Sequence, residues 1–412
     1  MARFRAWNTS SGKLEPTLDA VNYKLVTQSS DLDAVVQRMQ SAELIAFDTE
    51  FVSEDCYQPE LCLIQVWIDE QIFLLDPLLL GDTGPFWQQL ANGTHITLAH
   101  AAREEFRFCQ RYTGRGPANL VDTQVAAALV ALEYPAAYST LVSRFASRTI
   151  SKGETRTNWR KRPLSDSQME YAASDVLYLP QIYFAIKSQL AKRRREHWLE
   201  EEMQAMSVRY QDTVDEERWR RVSGISSLQP RELAIIRNLY QWRHETAQAR
   251  NHPLRRVIRD DLMIEIARLK SDQPLKVRSI RGMNFSRHSN DLNEIAAQVG
   301  LALQLPDDQL PKKVRSEANY SKLSQVIQFS QTALGIVCRR EHVAPALVGT
   351  TQDLRELVAW SMGEFSGDQT PLLDRGWRKE VVGDVITDLL AGKVAIKITN
   401  PKSEFPLEFD QR

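Results

Sequence analysis

Two carboxylates set the first question. In LIAFDTEF, residues 44–51, an apolar run from Leu44 to Phe47 leads into Asp48 and Glu50. Side chains alternate along a strand, so both acids leave the same face. Two like charges at the end of a buried-looking strand are costly unless a cation holds them. Other acids are placed to join them. Glu104 and Glu105 follow an apolar stretch in HAAREEF, and Asp122 opens DTQVAAALVAL, where an N-cap explains it. In EYAASDVLYL, Tyr171 and Asp175 stand four apart, on one face of a helix. Hard divalent cations such as Mg²⁺ and Mn²⁺ take oxygen ligands, mostly carboxylates and water. A pair of them about 3.5–4 Å apart serves in-line attack of water on a phosphodiester, and that design draws carboxylates from several elements.

The elements that must position these residues follow from periodicity. Residues 30–40 read as a helix, 44–51 and 61–68 as strands, and 71–76 as a strand joined to the last by the turn Asp69–Glu70. A strand over 96–101 runs into a helix over 104–112, and the spacing predicts helices over 122–132 and 164–194. Residues 21–200 thus read as an α/β domain, a mixed sheet flanked by helices, behind an N-terminal arm of residues 1–20. Residues 201–225 are charge-dense, end in SGISS and read as a linker. Over 226–305 the chain turns helical, with Leu233, Ile236, Tyr240 and Ala247 on one stripe and Leu239 and Trp242 beside it. After LPDDQLPKK, residues 314–412 read as a second small all-α bundle, carried by Leu323, Val326, Ile327, Leu334 and Val337 and by helices over 353–362 and 377–392.

Bulk composition narrows the class. A chain of 412 residues with 43% apolar and 25% charged residues is a globular protein of two or three domains. No run approaches the roughly 18 apolar residues of a membrane span, and the start has no apolar core of a signal peptide. Cys56, Cys62, Cys109 and Cys338 form no CxxC pair, which points to a reducing, cytoplasmic setting without structural zinc. The net charge is −1, yet seven Lys or Arg stand against one acid between Arg144 and Arg162, and ten against four between Arg250 and Asn290. Such local excess is what a polyanion site requires, and a solvated surface also carries it.

Together the motifs carry a resemblance. FDTEF, HAAREEF, VDTQ and RPLSDSQMEYAASDVLYL occur in the order and spacing of the DEDD exonucleases, and the tyrosine four before the last aspartate resembles the DEDDy branch. TRTNWRKRPLS is similar to ribonuclease D, and IIRNLYQWRHETAQARNHPLRRVIRDDLMIEIAR to the HRDC module; the final bundle resembles a more diverged HRDC unit. The resemblance implies a ribonuclease H-like exonuclease domain followed by two HRDC-type bundles. It implies two divalent metal ions, Mg²⁺ or Mn²⁺, on Asp48, Glu50, Glu105 and Asp175, with Tyr171 orienting the attacking water. The implied partner is RNA, such as tRNA precursors, degraded from the 3′ end by a monomer that meets no membrane. Phe51, His100, Arg156, Arg255, Arg256 and Arg259 are the candidate RNA contacts, and Trp159 and Trp242 read as packing residues.

One residue departs from the pattern. The second motif of this family carries aspartate, and position 105 is glutamate. The extra methylene moves the carboxylate, and Mg²⁺ is strict about octahedral geometry. Normal activity after a shift of the helix, a preference for Mn²⁺, and weak activity are the outcomes open to it. A DNA exonuclease of the same superfamily and a non-catalytic RNA-binding protein are the rival functions.

Overall fold

The computed structural model describes residues 21–130, 133–150, 157–211, 217–283, 291–312, 323–365 and 370–411. Six strands form one sheet: β1 (Tyr23–Val26), β2 (Leu44–Val52), β3 (Glu60–Ile68), β4 (Gln71–Leu75), β5 (Ile96–Ala99) and β6 (Leu120–Asp122), in the order β1-β4-β3-β2-β5-β6. β2, β3 and β4 are antiparallel neighbours, whereas β1/β4, β2/β5 and β5/β6 run parallel. The β3–β4 hairpin turns on Asp69 and Glu70, both at positive φ, as a two-residue turn matched to strand twist requires. β1 and β6 are four and three residues long, too short for alternation to reveal them.

β2 is the spine because its two faces feed two cores. Ile45 and Phe47 pack beneath α1 (Ser29–Ser41), α2 (Gly84–Asn92) and α3 (Arg103–Thr113), with Phe86, Trp87, Phe106 and Phe108. A short helix, α4 (Thr123–Ala128), follows β6. Leu44 and Ala46 face α5 (Asp166–Leu177) and α6 (Leu179–Arg193) through Ala172, Ala173, Val176 and Tyr183. Each fully buried Val, Ile or Phe side chain among them contributes roughly 1.5–3 kcal/mol, and each alanine less. Ser165 and Gln168 close a capping box at the start of α5. The single helix expected over 164–194 is two: Pro180 lacks the N–H that would continue the ladder, and the chain breaks at Tyr178. The helix expected over 122–132 is shorter, ending at Ala128.

In the segment expected to be a linker, the described residues 201–211 and 217–225 are built structure. α7 (Glu196–Gln211) runs through its first half and buries Trp198, Glu202 and Met206, a stripe at i, i+4 and i+8 that the acidic neighbours obscure. Further on, Trp219, Val222 and Ile225 are core residues of the next unit. That unit is a helical bundle of α8 (Pro230–Ala249), α9 (Asp260–Leu269) and α10 (Leu292–Leu303), with Trp242 buried and its indole donating to Glu294 Oε2 at 2.8 Å.

The final unit contains α11 (Ser324–Glu341), α12 (Thr351–Ser361) and α13 (Asp384–Leu390), and adds an antiparallel hairpin of β7 (Val394–Ile398) and β8 (Leu407–Gln411) that helical spacing does not announce. It shares one apolar core with the exonuclease unit, joining Val125–Val130, Ile182 and Trp198 to Leu334, Leu357 and Trp377. Trp198 stacks on Trp377 with centroids 4.9 Å apart. Buried Glu202 accepts from Trp377 Nε1 at 2.8 Å and pairs with Arg378. Among the described residues no helix is long and apolar enough to cross a membrane.

Candidate active site

Asp48 and Glu50 lie on the face of β2 that meets α5, opposite Gln65 and Leu63 of β3. The register slips between Glu50 and Phe51, a bulge that ends regular pairing just after the acids. Helix α5 crosses this face and brings Tyr171 and Asp175, whose side chains hydrogen-bond to one another. Glu105 comes from α3, on the other side of the sheet. Its Oε1 accepts from the Thr49 hydroxyl at 2.7 Å, and its carboxyl also meets that of Asp48. Thr49 and Glu105 are 5% and 4% exposed, so the longer arm of glutamate ends in a buried hydrogen bond and not in solvent. Glu104 turns outward to Arg107 at 2.6 Å, which leaves Glu105 as the residue of that pair directed at the acids.

The electrostatics are those of crowded carboxylates. Burial lifts the Asp48 carboxyl to about 6, against the pull of the Thr49 backbone N–H and Glu105. Burial, then the charges of Asp48, Asp175 and Glu105, lift Glu50 to about 9. Asp175 rises to about 8, through burial and Asp48, although the Tyr171 hydrogen bond lowers it. Glu105 is pushed well above the carboxylate range by burial and Asp48. Tyr171 is raised by burial and by the charges of Asp175, Glu50 and Asp48, so its phenol stays protonated. No Lys or Arg pairs with the four acids among the described residues. Beside Asp48, Gln65 is fully buried and its amide nitrogen and oxygen have no partner among the described residues.

The donor set is therefore all oxygen, acidic and short of positive charge, which fits a hard divalent cation. As the side chains stand, no three described His, Cys, Asp or Glu residues are gathered closely enough to hold a metal ion.

The N-cap expected of Asp122 is present, and several further supports escape sequence reasoning. Asp122 caps α4 by accepting from Gln124 N at 2.8 Å, and it also accepts from Ala101 N and Ala102 N at 3.0 and 2.9 Å. It thus ties down the turn from which α3 presents Glu105. The buried Tyr138 hydroxyl bridges Ser174 O and Tyr178 N, fixing α5 beside Asp175. Arg162 chelates Asp76 through two nitrogens at 2.6 and 2.8 Å and donates to Cys62 O, anchoring the approach to α5.

The candidate RNA contacts divide. His100 Nδ1 lies 3.1 Å from Thr123 Oγ1 and its Nε2 3.2 Å from Ala136 O, so both ring nitrogens have protein partners. Phe51 packs edge-on against Phe108 at 5.6 Å while remaining partly exposed. Arg255 and Arg256 are exposed, Arg259 is exposed but paired with Asp261 at 2.8 Å, and Arg156 lies outside the described residues. Trp159 is buried under Tyr171, with centroids 6.3 Å apart.

The acids thus stand on the central strand of a mixed sheet and on two flanking helices. The pattern of a 3′–5′ exonuclease family matches residues 23–191, and that of the HRDC domain matches residues 232–297. Ribonuclease D of Nitrobacter hamburgensis is 30% identical over 377 residues, spanning 91% of this chain and 97% of that protein. Ribonuclease D of Jannaschia sp. is 31% identical over 385 residues, with 92% and 97% covered. The crystal structure of Escherichia coli RNase D, an exoribonuclease involved in structured RNA processing, superposes with a TM-score of 0.79 at 27% identity, covering 90% of this chain and 99% of that one. The chain belongs to the ribonuclease D family and is a 3′–5′ exoribonuclease.

Proposed function

We propose that the chain trims structured RNA, tRNA precursors among them, from the 3′ end and releases nucleoside 5′-monophosphates by two-metal hydrolysis as a monomer. The observation that carries this reading is the convergence of Asp48, Glu50, Glu105 and Asp175, four buried or half-buried carboxylates, all raised by burial and the last three also by the charge of Asp48, with no paired cation among the described residues. These four residues would hold two divalent ions, Mg²⁺ or Mn²⁺. When bound, such ions supply Lewis-acid stabilisation of a scissile phosphate and acidify water. Because Glu50 and Asp175 carry protons near neutrality, cation binding is coupled to proton release. Tyr171 keeps its proton and donates to Asp175, so its role is to orient the attacking water and not to abstract a proton. Asp122 and Thr49 hold Glu105 in place, and Tyr138 holds the helix bearing Asp175.

The test is incubation of the purified chain with 3′-labelled RNA and matching DNA, with Mg²⁺ and with Mn²⁺, beside Asp48→Ala. Loss of label from RNA that the substitution abolishes supports the reading. Loss from DNA alone, or binding without loss, overturns it.

A further inference from the structure

Three separate stretches of chain meet where the exonuclease unit abuts the HRDC unit. Arg103 and Arg107 of α3, Arg218 and Arg221 of the turn before α8, and Tyr240 and Arg243 of α8 line a cavity of about 250 Å³. Five guanidiniums around so small a space are costly unless anions are near. Glu104 answers Arg103 and Arg107, at 3.9 and 2.6 Å, Asp260, also in the lining, answers Arg243 at 2.6 Å, and Arg218 and Arg221 are engaged as well. Arg243 is 4% exposed, and its Nε finds no acceptor among the described residues. A buried, unmet N–H donor is rare and expensive, and here it belongs to a side chain that lines the cavity. Burial raises the Tyr240 hydroxyl, and the charges of Arg218, Arg243 and Arg221 oppose that rise.

The position relative to the carboxylates is informative. Arg103 and Arg107 are four residues apart and share one face of α3, whereas Glu105 lies roughly opposite and is buried. Cavity and carboxylates therefore sit on two sides of a single helix, about 10 Å apart. Arginine forks suit the oxygens of phosphate better than any other anion carried by RNA. We infer that this cavity is a phosphate site that grips a backbone phosphate of the RNA upstream of the 3′ end being cleaved, with arginines supplied by both units. The inference rests on the reading of the carboxylate cluster as the place where the 3′ end enters.

The test compares wild type with Arg103→Ala/Arg221→Ala, two exposed positions, one from each unit. Binding of a fluorescent single-stranded RNA is followed by anisotropy in EDTA, where no hydrolysis competes, across a salt series. Each phosphate contact on a single strand contributes about −0.7 to the slope of log affinity against log salt, so losing two flattens it by about 1.4. Arg103→Lys/Arg221→Lys keeps the charges and should restore most of the slope. Arg103→Glu alone, on the outer face of α3, is a second variant and should weaken binding further than Arg103→Ala. An unchanged slope in the alanine pair overturns the inference. So does a result in which inorganic phosphate raises the melting temperature only when these arginines are present while RNA affinity ignores them, because the cavity then takes free phosphate. A wild type that binds RNA with the steep slope yet fails to hydrolyse it under Mg²⁺ or Mn²⁺ would sink the catalytic reading and leave this one standing.

Discussion

Substituting Thr49 by valine tests how a glutamate serves where its family carries aspartate. The change is nearly isosteric and removes one atom that matters, the hydroxyl that donates to Glu105 Oε1 at 2.7 Å. Both residues are at most 5% exposed, so no solvent replaces the lost donor. A hydrogen bond to a charged acceptor contributes roughly 1.5–3 kcal/mol. At about 1.4 kcal/mol per factor of ten, Thr49→Val should lower kcat on RNA by roughly 10- to 100-fold if that bond holds the carboxylate in its working position. The assay is steady-state release of label from a 3′-labelled RNA under saturating Mg²⁺. Glu105→Asp supplies the second arm. Its carboxylate is one methylene shorter and falls short of Thr49, so it should keep or raise turnover while becoming indifferent to Thr49→Val, within about threefold. The coupling of the two substitutions is thus the measured quantity. A Thr49→Val enzyme within twofold of wild type, or equal losses in both backgrounds, refutes the role given to this bond. A Glu105→Asp enzyme as inactive as Glu105→Ala would mean that the site is built around glutamate.

Three further outcomes follow from the same geometry. Tyr171→Phe removes the hydrogen bond to Asp175 and the group that orients water, and should lower kcat by about 10²-fold or more with KM little changed; a change confined to KM would contradict that assignment. Asp48, Asp175 and Glu50 titrate near 6, 8 and 9 in the folded chain, above the usual carboxylate range of about 4. Raised carboxyls contribute stability that is complete below the unfolded value and lost as pH climbs through the folded ones. The melting temperature in EDTA should therefore fall between pH 6 and 9, and Mg²⁺ or Mn²⁺ should reverse the fall; a flat or rising profile in EDTA would refute it. Arg162→Ala leaves Asp76, 1% exposed, without its guanidinium and should cost about 3–5 kcal/mol by urea unfolding, with less than about 1 kcal/mol counting against the anchor.

Much of the site is legible in the sequence, for definite reasons. The apolar run into Asp48 and Glu50 reads as a central strand because a period of two and burial agree there, and Tyr171 and Asp175 share a face because 3.6 residues complete a turn. What a single strand or helix does not reveal is its partner across the sheet. Thr49 lies on the face away from Asp48 and meets Glu105 because α3 crosses that side, a fact of topology. The same limit hid the arginine cavity. Density along the chain pointed to 144–162 and 250–290, whereas Arg103, Arg107, Arg218, Arg221 and Arg243 are thinly spread and converge only in space. The misread linker has a third cause. Trp198 and Met206 mark a buried stripe, but Glu200, Glu201 and Glu202 between them read as solvent, and Glu202 is buried because Arg378 arrives from far along the chain.

The core shared by the exonuclease unit and the last unit bears on how the chain is made. A ribosome releases Val125–Val130, Ile182 and Trp198 long before Leu334, Leu357 and Trp377, with the whole HRDC bundle emerging in between. The HRDC bundle, whose buried core spans Trp219 to Ala302, closes from contiguous chain, with Tyr57 of the already synthesised exonuclease unit packed against it. The catalytic unit instead waits through that interval with an apolar flank bare and with Glu202 lacking its guanidinium. Nascent nuclease is thus completed last although its catalytic residues are translated first, and translation that stops before Trp377 leaves the flank uncovered for good.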